Sequence, residues 1–357
     1  MPADYRRFES ARDSPSADEA AAPVSPSALD VDSAAASLPA SSSVPPSSAS
    51  SRVKHFVRRH WCMSACVLVL VTLGFALLAW RLVMGAKYSA ASVENAHLSF
   101  DSPPAVPGAP PVQRRPALSA ASIKLLVWNL KKGQEAGLEH DLPAYSADRD
   151  LLVLSEGLLN AHGRTIFDSM AGVHWEMGVA FRYAREADTP PTGTLLGSTH
   201  VLPSWVRVAL SEDREPIINT PKCMTMAKYP LTRDGDADAE PSSLLVISIH
   251  GVNAVSADAL DRQLAQAAGE IRAHVGPVVF AGDFNTNTAD KVSRLRRLTT
   301  GDLSMREVSY RNDARKTVFG QVIDYVFTRG LRTVDAEVLG SLTSSDHKAM
   351  LVELRLE

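Results

Sequence analysis

The chain has 357 residues, of which 45% are hydrophobic and 22% are charged, and its formal net charge is −3. This composition suits one or two globular domains with extra segments, and the charge argues against a strongly basic polyanion-binding protein. Only Cys223 lies beyond the apolar run that contains the other two cysteines, so the region after that run cannot form an internal disulfide. We interpret Cys223 as a buried, small hydrophobic residue.

The N-terminal part of the chain divides into a polar tail and an apolar segment. Residues 1–51 are rich in Ser, Ala and Pro and cannot bury enough apolar surface to offset chain entropy, so we predict a disordered tail. Residues 52–87 contain an uncharged run from Trp61 to Trp80. A helix of that length spans about 30 Å, the bilayer core, with a tryptophan at each boundary. We predict a transmembrane helix with its core at 61–80; a buried helix of a soluble domain is the alternative.

Charges around this run predict its orientation. More basic residues precede the run than follow it: Arg52, Lys54, Arg58 and Arg59 against Arg81 and Lys87. The positive-inside rule then predicts a cytoplasmic N-terminus and a translocated C-terminal region. Residues 88–121 are rich in Pro and are interpreted as a tether. Residues 122–357 form the predicted globular domain, and from Ile123 onward 26 basic and 31 acidic residues give a net charge of −5.

The globular domain alternates apolar runs with helix-like stretches. The predicted strands are "IKLLVWNL", "DLLVLSEG", "SLLVISIHG", "PVVFAGDFN", "VIDYVFTRG" and "AMLVELRLE". The stretch "SADALDRQLAQAAGEIRAHV" has apolar residues at helical spacing and a serine near its start. Strands that alternate with helices predict α/β layering.

Polar side chains recur at the ends of these strands. They are Asn129, Glu156, His250, Asp283, Asn285, Asp324, Asp346 and His347. Asp283 and Asn285 are two positions apart in an extended chain and so share a face. A turn would explain "GDFN" alone, but so many polar strand ends predict a binding site at one rim of the sheets.

The ordered series WN, xE, H, GDFN, IDYV and SDH resembles the endonuclease/exonuclease/phosphatase (DNase I-like) family over residues 123–357. The stretch from "REPIINTPK" to "IDYVFTRG" is similar to a bacterial membrane-attached subgroup whose substrates are unsettled. The resemblance implies a four-layered α/β sandwich with two mixed sheets and outer helices. Together with the apolar run and its flanking charges, it predicts a single-pass protein of a bacterial inner membrane, with the N-terminus cytoplasmic and the catalytic domain periplasmic.

The resemblance assigns roles to the strand-end residues, position by position. It implies metal binding by Glu156, Asn129 and Asp346. It implies catalysis by Asp283 and Asn285 on the attacking water and phosphoryl oxygens, by His347 with Asp324, and by the second histidine, His250. Clustered carboxylates repel each other without a cation, and a hard cation such as Mg²⁺ (or Mn²⁺) prefers oxygen ligands. No motif for another cofactor is present.

Two departures from the family pattern bear on the substrate. Ser155 stands where the family usually has Gln, and "LKKGQ" follows Asn129 where some relatives carry an acid. Lys222 is interpreted as an exposed strand lysine, with a contact to substrate phosphate as the alternative. These differences predict an intact chemical centre with altered loops around it.

The leading hypothesis is a membrane-anchored, Mg²⁺-dependent phosphoesterase that cleaves a phosphodiester, of either nuclease or phospholipid-headgroup type. The expected partners are that substrate and the lipid bilayer at residues 61–80, with a monomeric catalytic domain. The net charge of −5 mildly disfavours a nuclease, since phosphate contacts dominate nucleic-acid affinity. The alternative is a catalytically silent, membrane-anchored binding or scaffold protein of the same fold.

Overall fold

The computed structural model describes residues 49–90, 97–104, 106, 108, 113–184, 188–216, 218–232 and 242–357. The helices are α1 (Ala49–Lys87), α2 (Leu138–Ser146), α3 (Ala161–Asp168), α4 (Ala257–Ala273) and α5 (Ala289–Arg296). The strands are β1 (Tyr88–Ala90), β2 (His97–Asp101), β3 (Leu118–Ser119), β4 (Ile123–Asn129), β5 (Leu151–Leu158), β6 (His174–Tyr183), β7 (Pro191–Ser198), β8 (Trp205–Leu210), β9 (Cys223–Thr232), β10 (Ser242–His250), β11 (Val278–Asp283), β12 (Arg306–Glu307), β13 (Thr317–Val318), β14 (Gln321–Val322), β15 (Asp324–Arg329), β16 (Leu331–Val338) and β17 (Met350–Leu356).

Two large mixed sheets form the domain. One has the strand order β1-β6-β7-β5-β4-β17-β16, with β2 also pairing β6, and the other has the order β12-β15-β11-β10-β9-β3, with β8 also pairing β9. Parallel pairing joins β4 to β5, β10 to β11 and β3 to β9, and the other pairs are antiparallel. The strands β13 and β14 form a separate hairpin.

The period-two alternation of strand side chains separates three apolar layers. Leu125 and Val127 of β4 join residues of the second sheet in the core between the sheets. Leu126 and Trp128, the alternate residues, pack with α2 and α3 outside the first sheet. A third cluster places α4 and α5 on the outer face of the second sheet. The predicted four-layered α/β sandwich is confirmed.

The helix α4 begins where its sequence predicts. The side chain of Ser256 accepts a hydrogen bond from the backbone N–H of Ala259 and so caps the N-terminus. Leu260, Leu264 and Ile271 recur at helical spacing on one face and are buried against the second sheet. All six predicted strands are also present, as β4, β5, β10, β11, β15 and β17.

The structure describes only part of the N-terminal region for which the sequence makes predictions. Residues 1–48 of the predicted tail lie outside the described residues. Within the described chain, α1 contains a stretch, Met63–Val83, that is long and apolar enough to cross a membrane. The predicted tether at 88–121 differs from the structure, because β1, β2 and β3 fall within it. These short strands pair with the edges of the two sheets, and such pairing satisfies backbone groups without requiring a long apolar run.

Candidate active site

Strand register brings polar residues of the second sheet side by side. His250, the last residue of β10, pairs with Asp283, the last residue of β11. Asp283 in turn pairs with Asp324, the first residue of β15. In the first sheet, Asn129 ends β4 opposite Ser155 of β5. The sequence prediction that these side chains share one rim therefore agrees with the register of both sheets.

A close approach of backbone explains the glycine of "GDFN". Gly282 lies at φ 134°, and a Cβ there would be 2.2 Å from the carbonyl oxygen of Ile249 on the neighbouring strand. Only glycine fits this combination of conformation and spacing. The strand then delivers Asp283, which is 2% exposed, to the floor of the site.

The loop after β11 is fixed by its own polar side chains. The backbone N–H of Asn285 donates to Oδ1 of Asp283 at 2.9 Å. Asn285 itself lies at φ 51°, in the left-handed region, and its Nδ2 donates to the carbonyl oxygen of Gly251 at 2.8 Å. An amide carries two N–H donors, so the Nδ2 group of Asn285 can donate a second hydrogen bond in addition to this one.

His347 and Asp324 form a buried pair. Nδ1 of His347 donates to Oδ2 of Asp324 at 2.8 Å, and Nε2 lies 3.8 Å from Oδ2 of Asp283. Trp128 and Ser345 hold the histidine backbone: the Trp128 indole donates to the His347 carbonyl, and the Ser345 hydroxyl accepts from the His347 N–H. The ring is therefore fixed with Nε2 directed towards Asp283.

A second group surrounds Glu156. Nδ2 of Asn129 lies 3.0 Å from Oδ2 of Asp283 and 3.5 Å from Oε1 of Glu156. Nε2 of His250 lies 3.6 Å from Oε1 of Glu156 and 3.7 Å from Oδ2 of Asp283. Glu156 has φ 55° at an irregularity in the pairing of β5 with β7, a strained backbone that redirects its side chain into the site.

Lysines compensate the carboxylates at this rim. Nζ of Lys132 donates to Oε2 of Glu156 at 2.7 Å. Lys222 is buried, which contradicts its interpretation as an exposed strand lysine, and its Nζ lies 3.2 Å from Oε1 of Glu215. Asp346 accepts from Nζ of Lys316 at 2.6 Å and is 40% exposed. Asp346 thus contacts cations at the mouth of the cleft, whereas Glu156 and Asp283 converge on its floor.

The local environment separates the pKa values of the two histidines. Burial alone would lower the pKa of His347, but the adjoining Asp324 carboxylate raises it to about 9. Burial and the nearby Lys222 ammonium hold the pKa of His250 well below its ordinary value. At neutral pH His347 is consequently an imidazolium and His250 a neutral imidazole.

The local environment also separates the pKa values of the two carboxyl groups, Asp283 and Glu156. Burial raises the pKa of Asp283, with Asp324 adding repulsion, although His347 opposes the shift. Burial would also raise the pKa of Glu156, but the Lys132 and Lys222 ammonium groups hold it well below its usual range. Asp283 is therefore suited to accept a proton near neutral pH, while Glu156 remains charged.

The donor set fits a divalent cation. Asp283, Asp324 and His347 each offer one ligand atom, and these atoms lie within 4.8 Å of one another. Both carboxylate oxygens of Asp324 already contact Nδ1 of His347, however, which favours an oriented histidine over a ligand there. Glu156 has the more exposed carboxylate and so offers the oxygen ligands that a hard cation requires. Asn129 lies beside it, with Nδ2 towards Glu156 and Oδ1 accepting from the N–H of Lys131.

Two facing mixed sheets with carboxylates, amides and histidines at one rim define this chain as an α/β-sandwich protein with a polar cleft. Residues 126–347 match the profile of the Endonuclease/Exonuclease/phosphatase family, and the chain belongs to that family. Members of the family generally hydrolyse phosphoester bonds. The resemblance noted in the sequence is thus confirmed.

Relatives support this assignment. A UPF0294 protein of Klebsiella pneumoniae (strain 342) is 31% identical over 247 residues, which cover 67% of this chain and 84% of the relative. A UPF0294 protein of Yersinia enterocolitica is 32% identical over 238 residues, which cover 65% and 84% respectively. The endonuclease/exonuclease/phosphatase structure from Bacteroides vulgatus aligns over 66% of this chain and over its own full length, with a TM-score of 0.50. The sequence identity is 16%, so this match is a likeness of fold.

Sequence reasoning did not single out Lys132, Ser345 or Trp128 as parts of the site. Ser345 donates from its hydroxyl to the Asn129 carbonyl at 2.6 Å and so ties the "SDH" segment to the end of β4. The departure "LKKGQ" was the available signal for Lys132, because two lysines within three positions of a site asparagine change the local charge. The contact with Glu156 spans 24 positions and requires the fold.

Proposed function

We propose that this protein is a membrane-anchored phosphodiesterase that depends on Mg²⁺ or Mn²⁺. The observation that carries the proposal is the meeting of Asp283, whose pKa is raised, with a protonated His347 whose Nε2 lies 3.8 Å away. A base and an acid of separated pKa, directed into one cleft, suit hydrolysis of an ester. A silent scaffold of the same fold would have no need of this pairing.

Each residue has a defined task in the proposed reaction. Asp283 accepts a proton from water as the water oxygen bonds to phosphorus. As the phosphorus–oxygen bond breaks, Nε2 of His347 gives its proton to the leaving oxygen, while Asp324 holds Nδ1. Asn285 and neutral His250 contact the phosphoryl oxygens. These contacts stabilise charge that develops in the transition state.

Glu156 and Asn129 would hold the divalent cation, with Asp283 beside them. When bound, the cation polarises a phosphoryl oxygen and offsets the charge of the ester. Asp346, at the mouth of the cleft, would be a further metal ligand, and the cation would compete there with Lys316 for its carboxylate. The stretch Met63–Val83 would anchor the chain in a bilayer, with the N-terminus cytoplasmic and the catalytic domain across the membrane.

The test is a substrate panel with the full chain in detergent micelles. It comprises single- and double-stranded DNA, RNA, sphingomyelin, phosphatidylcholine and inositol phosphates, each with Mg²⁺ and with EDTA. We expect EDTA-sensitive release of a phosphorylated product from one class of substrate. No cleavage of any member of the panel would contradict the proposal and favour the silent scaffold.

A further inference from the structure

A strained turn after β4 aims a lysine into the site. Lys131, Lys132 and Gly133 have φ values of 47°, 58° and 67°, so two non-glycine residues lie in succession in the left-handed region. The left-handed region is unfavourable for a residue with a Cβ, and strain of this kind persists where the surrounding structure enforces it. Here Oδ1 of Asn129 accepts from the N–H of Lys131 at 3.0 Å. A residue of the site thereby fixes the turn that directs Lys132.

Lys132 and Glu156 meet at a partly exposed position in the cleft. Their side chains are 20% and 19% exposed, and Nζ lies 2.7 Å from Oε2. A lysine ammonium sits on a flexible four-carbon stem with three rotatable donors. The ammonium can therefore leave Glu156 by rotation of the side chain, without a change in the strained turn.

Lys222 supplies a second, fixed cation. Its side chain is 8% exposed and pairs with Glu215, whose side chain is 11% exposed. Together with Lys132 it keeps Glu156 ionised against the opposing effect of burial on the pKa of that carboxyl. Lys222 keeps Glu215 as its partner, whereas Lys132 loses its carboxylate partner once Glu156 is engaged elsewhere. The Lys132 ammonium is then available to an anion.

The Lys132 ammonium occupies the carboxylate that a divalent cation requires. Mg²⁺ binds carboxylate oxygens at about 2.0–2.1 Å, and two cations on one carboxylate repel each other. We propose that Lys132 neutralises Glu156 in the free protein and moves to a phosphate oxygen when Mg²⁺ takes Glu156, so that its ammonium becomes an anion subsite for the substrate phosphate. This inference rests on the proposed function, and it predicts that Mg²⁺ and phosphate bind with positive coupling.

The test is calorimetric titration of the chelator-treated full chain with Mg²⁺, with and without inorganic phosphate. Phosphate should strengthen Mg²⁺ binding by about tenfold, within the usual range of coupling between sites. Lys132→Gln should bind Mg²⁺ about tenfold more tightly than the unmodified chain without phosphate, and it should lose most of the phosphate effect. Lys132→Arg, which keeps the charge, should retain the coupling.

Lys124→Gln is the matched control, because Lys124 pairs with Asp148 and lies near the start of β4, at the opposite end of that strand from Asn129. It should behave as the unmodified chain does. If Lys132→Gln does not strengthen Mg²⁺ binding, or if this variant keeps the phosphate effect, the inference is overturned. The proposed function would still stand in either case. Failure of Mg²⁺ to bind any of these proteins would overturn the metal assignment in the proposed function, and the inference with it.

Discussion

The buried pair of His347 and Asp324 makes folding stability depend on pH in a defined direction. The pKa of His347 rises from 6.5 to about 9 in the folded protein, against burial, because Asp324 lies 2.8 Å from Nδ1. A group with a raised folded pKa stabilises fully below its unfolded pKa and loses that contribution as pH rises through the folded value. This difference between the unfolded and folded pKa values of His347 corresponds to about 3 kcal/mol of folding stability, at about 1.4 kcal/mol per pKa unit.

Asp324→Asn removes the partner that raises the pKa of His347. We expect a loss of about 3–5 kcal/mol near neutral pH, the usual cost of breaking a buried ion pair from one side. The difference in unfolding free energy between the unmodified chain and the variant should shrink as pH rises from 6.5 to about 9. Urea unfolding across that range, followed by tryptophan fluorescence, measures this difference.

Asp335→Asn supplies the control, since Asp335 pairs with Arg311 at the surface and its side chain is 46% exposed. Its cost should stay below about 1 kcal/mol and should be nearly constant over the same pH range. A constant difference for Asp324→Asn across the range would refute the assignment of a protonated His347 to this pair.

Three further predictions concern the backbone, the metal and the membrane. Gly282→Ala should lower the free energy of unfolding by about 1–3 kcal/mol or more in urea titrations, because a Cβ would meet the Ile249 carbonyl. The control Gly269→Ala, which has open space around it, should be neutral or stabilising. Glu156→Gln should weaken Mg²⁺ binding at least tenfold by calorimetry, and unchanged affinity would remove Glu156 from the metal site. The full chain should resist carbonate extraction, and protease on the non-cytoplasmic side should remove the C-terminal domain; cleavage of the N-terminal tail alone would reverse the orientation.

The sequence predicted those parts of the fold that follow local periodicity. Runs such as "PVVFAGDFN" are apolar, β-branched and bounded by turn residues, so their strands and polar ends could be located. By contrast, β6, β7 and β9 are interrupted by residues such as Gly, Thr, Met or Pro and lack a simple pattern. The short strands at 88–121 are defined by pairing with sheet edges, which sequence periodicity does not reveal.

The site was predictable in its residue types and less so in its electrostatics. Order along the chain indicated Asp283 and His347. Strand register places Asp283 beside Asp324, and the hydrogen bond of His347 to Asp324 then brings the histidine to Asp283. The raised pKa of Asp283 depends on burial and on Asp324, which are properties of the folded cleft. Likewise, Lys132 reaches Glu156 because of an unusual turn, and Lys222 is buried although an exposed strand lysine was expected.

The central claim is that Asp283 is the base of a metal-dependent phosphodiesterase. The most direct measurement is turnover of bis(p-nitrophenyl) phosphate by the full chain with Mg²⁺, for the unmodified protein, Asp283→Asn and the control Asp290→Asn. Asp290 is a surface carboxylate that pairs with Arg294. We predict that Asp283→Asn loses about 10²–10⁴-fold in turnover while its melting temperature is unchanged. The turnover of Asp290→Asn should equal that of the unmodified protein. Near-normal turnover by Asp283→Asn, or turnover that persists in EDTA, would contradict the account.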